Sequence, residues 1–92
     1  MDIKDSVVVV TGAASGIGRA MAQRFAADGA GTVVVADIDG DGAAAVAHEI
    51  GAQAETLDVT DEEAQLSMIN RTEAQWGPIE LWCGNAGVAS NG

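Results

Sequence analysis

"VVVVTGAASGIGRA", residues 7–20, sets four consecutive valines directly against a turn containing Gly12, Gly16 and Gly18. An unbroken β-branched run is the pattern of a strand covered on both faces, so Ser6 to Thr11 reads as a buried strand. Beyond the turn, Gly16 to Asp28 carries apolar residues at 17, 20, 21 and 25, which is helical spacing, and Gly29 suits the stop.

Glycines spaced G-x-x-x-G-x-G mark, on their own, no more than a tight turn. Placed between a buried strand and a helix, they form the arrangement that seats a phosphate. Gly12 permits the sharp turn, Gly16 lets backbone approach a pyrophosphate, and Gly18 allows helix and strand to pack closely. The free N–H groups and a partial charge of about +0.5 at the helix start attract the anion. Ser15 adds a hydroxyl, and Ile17 belongs to the same candidate binding segment.

Working outward, "TVVVAD" (Thr32 to Asp37) is a second buried strand. Gly42 to Ile50 places Ala43, Val46, Ala47 and Ile50 at helical spacing before Gly51. Ala54 to Val59 forms a third, shorter strand. "TDEE" (Thr60 to Glu63) then reads as a capping box, with Thr60 as N-cap. The helix it opens carries Met68, Ile69, Thr72 and Trp76 on one face and ends at Gly77-Pro78. Ile79 to Cys83 is a fourth strand. The order β-α-β-α-β-α-β with short connections predicts a parallel sheet with right-handed crossovers. That is the first half of a Rossmann-type doubly wound α/β fold.

Composition bounds the partners. The 92 residues make one small domain, and a hydrophobic content of 48% argues against disorder. No apolar run reaches the length of a membrane span, and "MDIKDS" has no signal-peptide pattern. One cysteine excludes an internal disulfide and a Cys-based zinc site, which points to a reducing cytoplasm. Four Lys+Arg against 14 Asp+Glu give a net charge of −10, which repels nucleic acid and anionic membranes. A bound phosphate must therefore be held by local backbone groups.

Asp37 closes the second strand 19 residues after Gly18, near the spacing of roughly 20 expected for an acid on an adenosine ribose. A carboxylate there accepts from both ribose hydroxyls. It also repels a 2′-phosphate, since like charges about 4 Å apart cost up to about 4 kcal/mol at an effective dielectric near 20. The expected cofactor is NAD rather than NADP. Asp39 and Asp41 read as solvated turn residues.

"TGAASGIG" (Thr11 to Gly18), "ADID" (Ala36 to Asp39), "LDVTD" (Leu57 to Asp61) and "GNAG" (Gly84 to Gly87) together resemble the short-chain dehydrogenase/reductase family. The resemblance implies that Asp58 and Val59 border the adenine ring and that Ile38 lies against it. It also implies that Asn85, Ala86 and Gly87 line the cofactor ribose. Two alternatives stay open: Asp58 as a cap for the third helix, and the Asn-Ala-Gly run as a simple loop. Gly84 stands where the family has a first asparagine, Glu80 where it commonly has aspartate, and Trp82 where it has a smaller aliphatic.

Catalysis in that family uses a serine and a Tyr-x-x-x-Lys set. This sequence has no tyrosine, and Lys4, its one lysine, precedes the first strand, so no catalytic residue is assigned. His48 reads as a surface histidine, Cys83 as packing, and no spacing suggests a metal site. The expectation is that residues 1–92 form the NAD-binding portion of a short-chain oxidoreductase, ending before its catalytic region. The resemblance further implies an alcohol or ketone substrate and a homo-oligomer at full length. The alternative is a stand-alone NAD-binding module without catalysis, or one half of a two-chain enzyme.

Overall fold

The computed structural model describes residues 3–14 and 16–84. In chain order the elements are β1 (Val7–Thr11), α1 (Gly16–Ala27), β2 (Thr32–Asp37), α2 (Gly40–Ile50), β3 (Gln53–Thr56), α3 (Glu62–Trp76) and β4 (Leu81–Gly84). The strands form one parallel sheet in the order β3-β2-β1-β4. The predicted α/β Rossmann-type architecture is what the chain adopts.

The valine run explains why the sheet is covered twice. Val8, Val10, Val33 and Val35 point to one face, where Ala22 of α1 and Val46 and Ala47 of α2 meet them. Val9, Val34 and Ala36 point to the other, against Leu57 and Met68. Each fully buried valine contributes about 1.5–3 kcal/mol. Right-handed crossovers dictate this division of helices. The chain steps from β1 to β2 to β3 in one direction and returns across the sheet to β4, so α3 falls on the opposite face from α1 and α2.

Several boundaries and faces differ from expectation, each for a local reason. Within α1 the inward residues are Gly18 and Ala22, supported by Met21, Phe25 and Ala26, whereas Ile17 and Ala20 are exposed. Close packing of Gly18 on the turn sets the rotation of the helix, and glycine carries no hydropathy signal to announce it. Helix α2 starts at Gly40 rather than Gly42 because the Asp39 carboxylate caps it, accepting from the Gly42 N–H at 3.0 Å. Asp39 is thus a cap and not merely a solvated turn residue. The cap of α3 is Asp61, which accepts from the Ala64 N–H at 3.1 Å; it is not Thr60. Thr60 is already engaged, its N–H and hydroxyl both donating to Asp58. Strand β3 stops at Thr56 instead of Val59, because its partner β2 ends at Asp37 and the ladder runs out there. On β1 the ladder partners of Val8 to Thr11 are Leu81 to Gly84, so β4 begins at Leu81 and not at Ile79.

Candidate functional site

Strand β1 lies between β2, which follows it directly, and β4, which the chain reaches from β3 by crossing back over the sheet. Open α/β sheets take ligands at such a switch point, beyond the carboxyl ends of the strands. The glycine turn sits there. Gly12 (φ 68°) and Gly16 (φ 61°) both occupy the left-handed region, where other residues are strained. A Cβ on Gly18 would stand 2.1 Å from the Gly12 carbonyl oxygen, so only glycine lets α1 approach β1 this closely. At Gly16 a Cβ would meet nothing within 4 Å among the described residues. The backbone is thus open to a ligand on that side.

The end of β2 is tied to this turn. The Ala13 N–H donates to the Ala36 carbonyl at 3.2 Å, prolonging the β1–β2 ladder past the strand. The next N–H, from Ala14, donates to Asp37 Oδ2 at 3.0 Å. Asp37 Oδ1 accepts from the Asp39 N–H at 2.9 Å. A carboxylate has about four lone-pair sites, so two remain for a further donor.

A cleft of about 320 Å³ opens beside these groups, lined by Gly12, Asp37, Ile38, Leu57, Asp58, Val59 and Thr60. Residues up to 48 positions apart converge there, among them five that the sequence nominated: Gly12, Asp37, Ile38, Asp58 and Val59. Ile38 is 69% exposed and Ile17, at the start of α1, is 70% exposed. Both are large apolar side chains that face solvent. Asp58 accepts from the Thr60 hydroxyl at 2.6 Å and the Thr60 N–H at 2.9 Å, and these bonds hold its carboxyl below the usual aspartate range. Because Asp61 caps α3, Asp58 is not that helix's cap. Ser15, Asn85, Ala86 and Gly87 lie outside the described residues.

Four residues contribute in ways that escaped the sequence reading. Leu57 and Thr60 complete the cleft wall, and the Ala14 backbone binds Asp37. Thr11 Oγ1 also donates to the Cys83 carbonyl across the switch point, in a long bond of 3.5 Å. The presence of Leu57 and Thr60 on either side of Asp58-Val59 was the one available signal.

Elsewhere the described residues offer little chemistry. A hollow of about 160 Å³ at the amino ends of the strands, bordered by Ala26, Ala30, Ile50 and Trp76, has no titratable group in its lining. Burial pushes the Cys83 thiol up, away from thiolate reactivity. No described helix is long and apolar enough to cross a membrane.

Comparison with known proteins agrees with this geometry. A 1-deoxy-11-beta-hydroxypentalenate dehydrogenase from Streptomyces exfoliatus is 47% identical over 93 residues, covering 96% of this chain and 34% of that protein. A 3-ketoacyl-(acyl-carrier-protein) reductase from Brucella melitensis, solved with NADH, superposes with a TM-score of 0.81 at 36% identity, over 87% of this chain and 34% of that one. A Brucella melitensis structure described as a ribose-5-phosphate isomerase superposes with a TM-score of 0.86 at 35% identity, over 92% of this chain and 33% of its own. The chain thus spans about a third of the length of the relatives it matches. The sequence model of the short-chain dehydrogenases matches residues 6–92, nearly end to end, and the chain belongs to that family.

Proposed function

We propose that this chain is the NAD-binding portion of a short-chain oxidoreductase. The observation that carries the reading is the convergence of Asp37, Ile38, Asp58 and Val59 on one cleft beside Gly12, at the switch point of the sheet. The residues present fit such a cofactor. The backbone at Gly16 is open on its outer side, and Asp37 keeps acceptor sites free. When bound, a nicotinamide cofactor supplies hydride transfer to or from the carbon of an alcohol or carbonyl substrate.

The chain's own part is binding and orientation. Backbone N–H groups at the start of α1 face the pyrophosphate, with Ser15 adding its hydroxyl. Asp37 accepts from the adenosine ribose hydroxyls and excludes a 2′-phosphate, which favours NAD over NADP. Ile38, Val59 and Asp58 enclose the adenine, Ile17 covers the turn, and Asn85, Ala86 and Gly87 line the far ribose. The reading extends to a small alcohol or ketone substrate, a cytoplasmic location and a homo-oligomeric full-length protein. These last points rest on the family and on cysteine usage rather than on geometry.

The test is calorimetric titration of the natural full-length protein with NADH and NADPH, for wild type and Asp37→Ala. The wild type is expected to prefer NADH, and the variant to lose most of that preference. An unchanged ratio of affinities refutes the ribose role of Asp37. The second reading is a non-catalytic NAD-binding module or half of a two-chain enzyme. Tight NADH binding by a folded 92-residue chain supports the module, whereas an unfolded or aggregating chain supports the portion of a larger enzyme.

A further inference from the structure

Asp37 is bound on both carboxylate oxygens by backbone before any ligand is considered. One oxygen accepts from the Ala14 N–H of the glycine turn at 3.0 Å, and the other from the Asp39 N–H at 2.9 Å. Asp39 in turn caps α2 through the Gly42 N–H at 3.0 Å. A Cβ on Gly42 would lie only 2.8 Å from the Ala14 Cβ, so the start of α2 presses on the same residue of the turn that Asp37 holds. The contacts close a ring from Ala14 through Asp37 and Asp39 to Gly42 and back to Ala14.

That ring gives the carboxylate a task apart from any ribose. Ala14 lies two residues before Gly16, in a turn whose shape decides where the N–H groups of the α1 start point. Ala14 is half-buried and lies past the end of β1, and among the described residues the acceptor of its N–H is the Asp37 carboxylate. Without the carboxylate that donor is left without its partner, and a turn built on two left-handed glycines has alternative conformations open to it. Hydrogen bonds from N–H groups to an ionised acceptor are the stronger kind, which suits a single side chain holding a flexible turn.

We propose that Asp37 is a positioning residue for the glycine turn, holding the pyrophosphate seat in its binding shape through the Ala14 N–H. This rests on the dinucleotide-binding reading above, and deepens it by giving Asp37 a second role that does not involve the ribose.

The two roles separate with two probes. ADP carries the pyrophosphate and both ribose hydroxyls, whereas 2′,3′-dideoxy-ADP keeps the pyrophosphate and lacks the hydroxyls. In the natural full-length protein, Asp37→Ala is expected to weaken 2′,3′-dideoxy-ADP by about tenfold, the loss that follows from one charged hydrogen bond. Asp37→Asn, which keeps one acceptor oxygen, is expected to fall between the variant and wild type. If Asp37→Ala weakens ADP but leaves 2′,3′-dideoxy-ADP unchanged, the carboxylate serves the ribose alone and the positioning role is overturned. Amide hydrogen exchange on the ligand-free wild type gives a reading that needs no variant, with slow exchange at Ala14 expected. Exchange at the rate of an unprotected amide overturns the proposal. If wild type binds neither nucleotide, the dinucleotide reading fails, while faster Ala14 exchange in Asp37→Ala than in wild type still upholds the positioning role and an unchanged rate overturns it.

Discussion

The α-carbon of Gly18 faces the carbonyl of Gly12 so closely that a Cβ would stand 2.1 Å from the oxygen and 2.7 Å from the carbon. Both obstacles are backbone, so no side chain can swing aside. Gly18→Ala is expected to force α1 off β1 and to destabilise the protein by about 1–3 kcal/mol or more. Urea unfolding with an unchanged slope and a lowered midpoint checks it. Gly16→Ala meets nothing within 4 Å among the described residues, and its expected cost is the strain of its left-handed backbone, about 1–2 kcal/mol.

The second face of the sheet rests on few contacts. Helix α3 buries only Met68 and Thr72, and Met68 is 1% exposed within the cluster of Val9, Val34, Ala36 and Leu57. Met68→Ala is expected to cost about 2–5 kcal/mol, measured by thermal or urea unfolding. Leu66→Ala on the same helix, at 60% exposure, is expected to stay within about 0.5 kcal/mol of wild type.

Acid should loosen the link between α1 and α2. Arg19 binds Glu49 at 2.6 Å and Gln23 binds it at 2.7 Å, and these hydrogen bonds hold the Glu49 carboxyl below the usual glutamate range. A carboxylate with a lowered folded-state pKa stabilises fully above its unfolded value, and that stability is lost as pH falls through the folded one. Wild type is therefore expected to exceed Glu49→Gln at neutral pH, with the gap closing below the ordinary glutamate pKa. The pair is exposed, so the gap is expected to be small and to shrink with salt. Urea midpoints across a pH series, with and without salt, check both trends.

Ile38 separates stability from binding. Its exposure means that Ile38→Ser should leave unfolding within about 0.5 kcal/mol of wild type. The same change is expected to weaken NADH by about tenfold, because it removes an apolar wall of the adenine cleft. Calorimetric titration alongside urea unfolding reads both effects on one protein.

The geometry of the candidate site was legible where a residue type and a spacing demand a particular backbone. Gly12, Gly18 and Asp37 announce themselves because a left-handed turn, a close approach and a strand-end acid each demand particular residues. The caps were less legible. Thr60 and Asp61 both satisfy the rule for an N-cap, and only the competing bonds of Thr60 to Asp58 select Asp61. The inward face of α1 misled for a similar reason, since Ile17 looks like core by hydropathy while Gly18 is what packs.

Hydrophobic periodicity is a local property. The sequence by itself therefore determined the order of strands and helices, the two-sided burial of the valine strands and the place of the glycine turn. What only the tertiary structure decided involves groups far apart in the chain. The Ala14–Asp37 bond joins residues 23 positions apart, and the Thr11–Cys83 bond residues 72 apart. Such bonds exist only once the strands lie in register, and no run of neighbouring residues encodes which N–H a strand-end carboxylate will find.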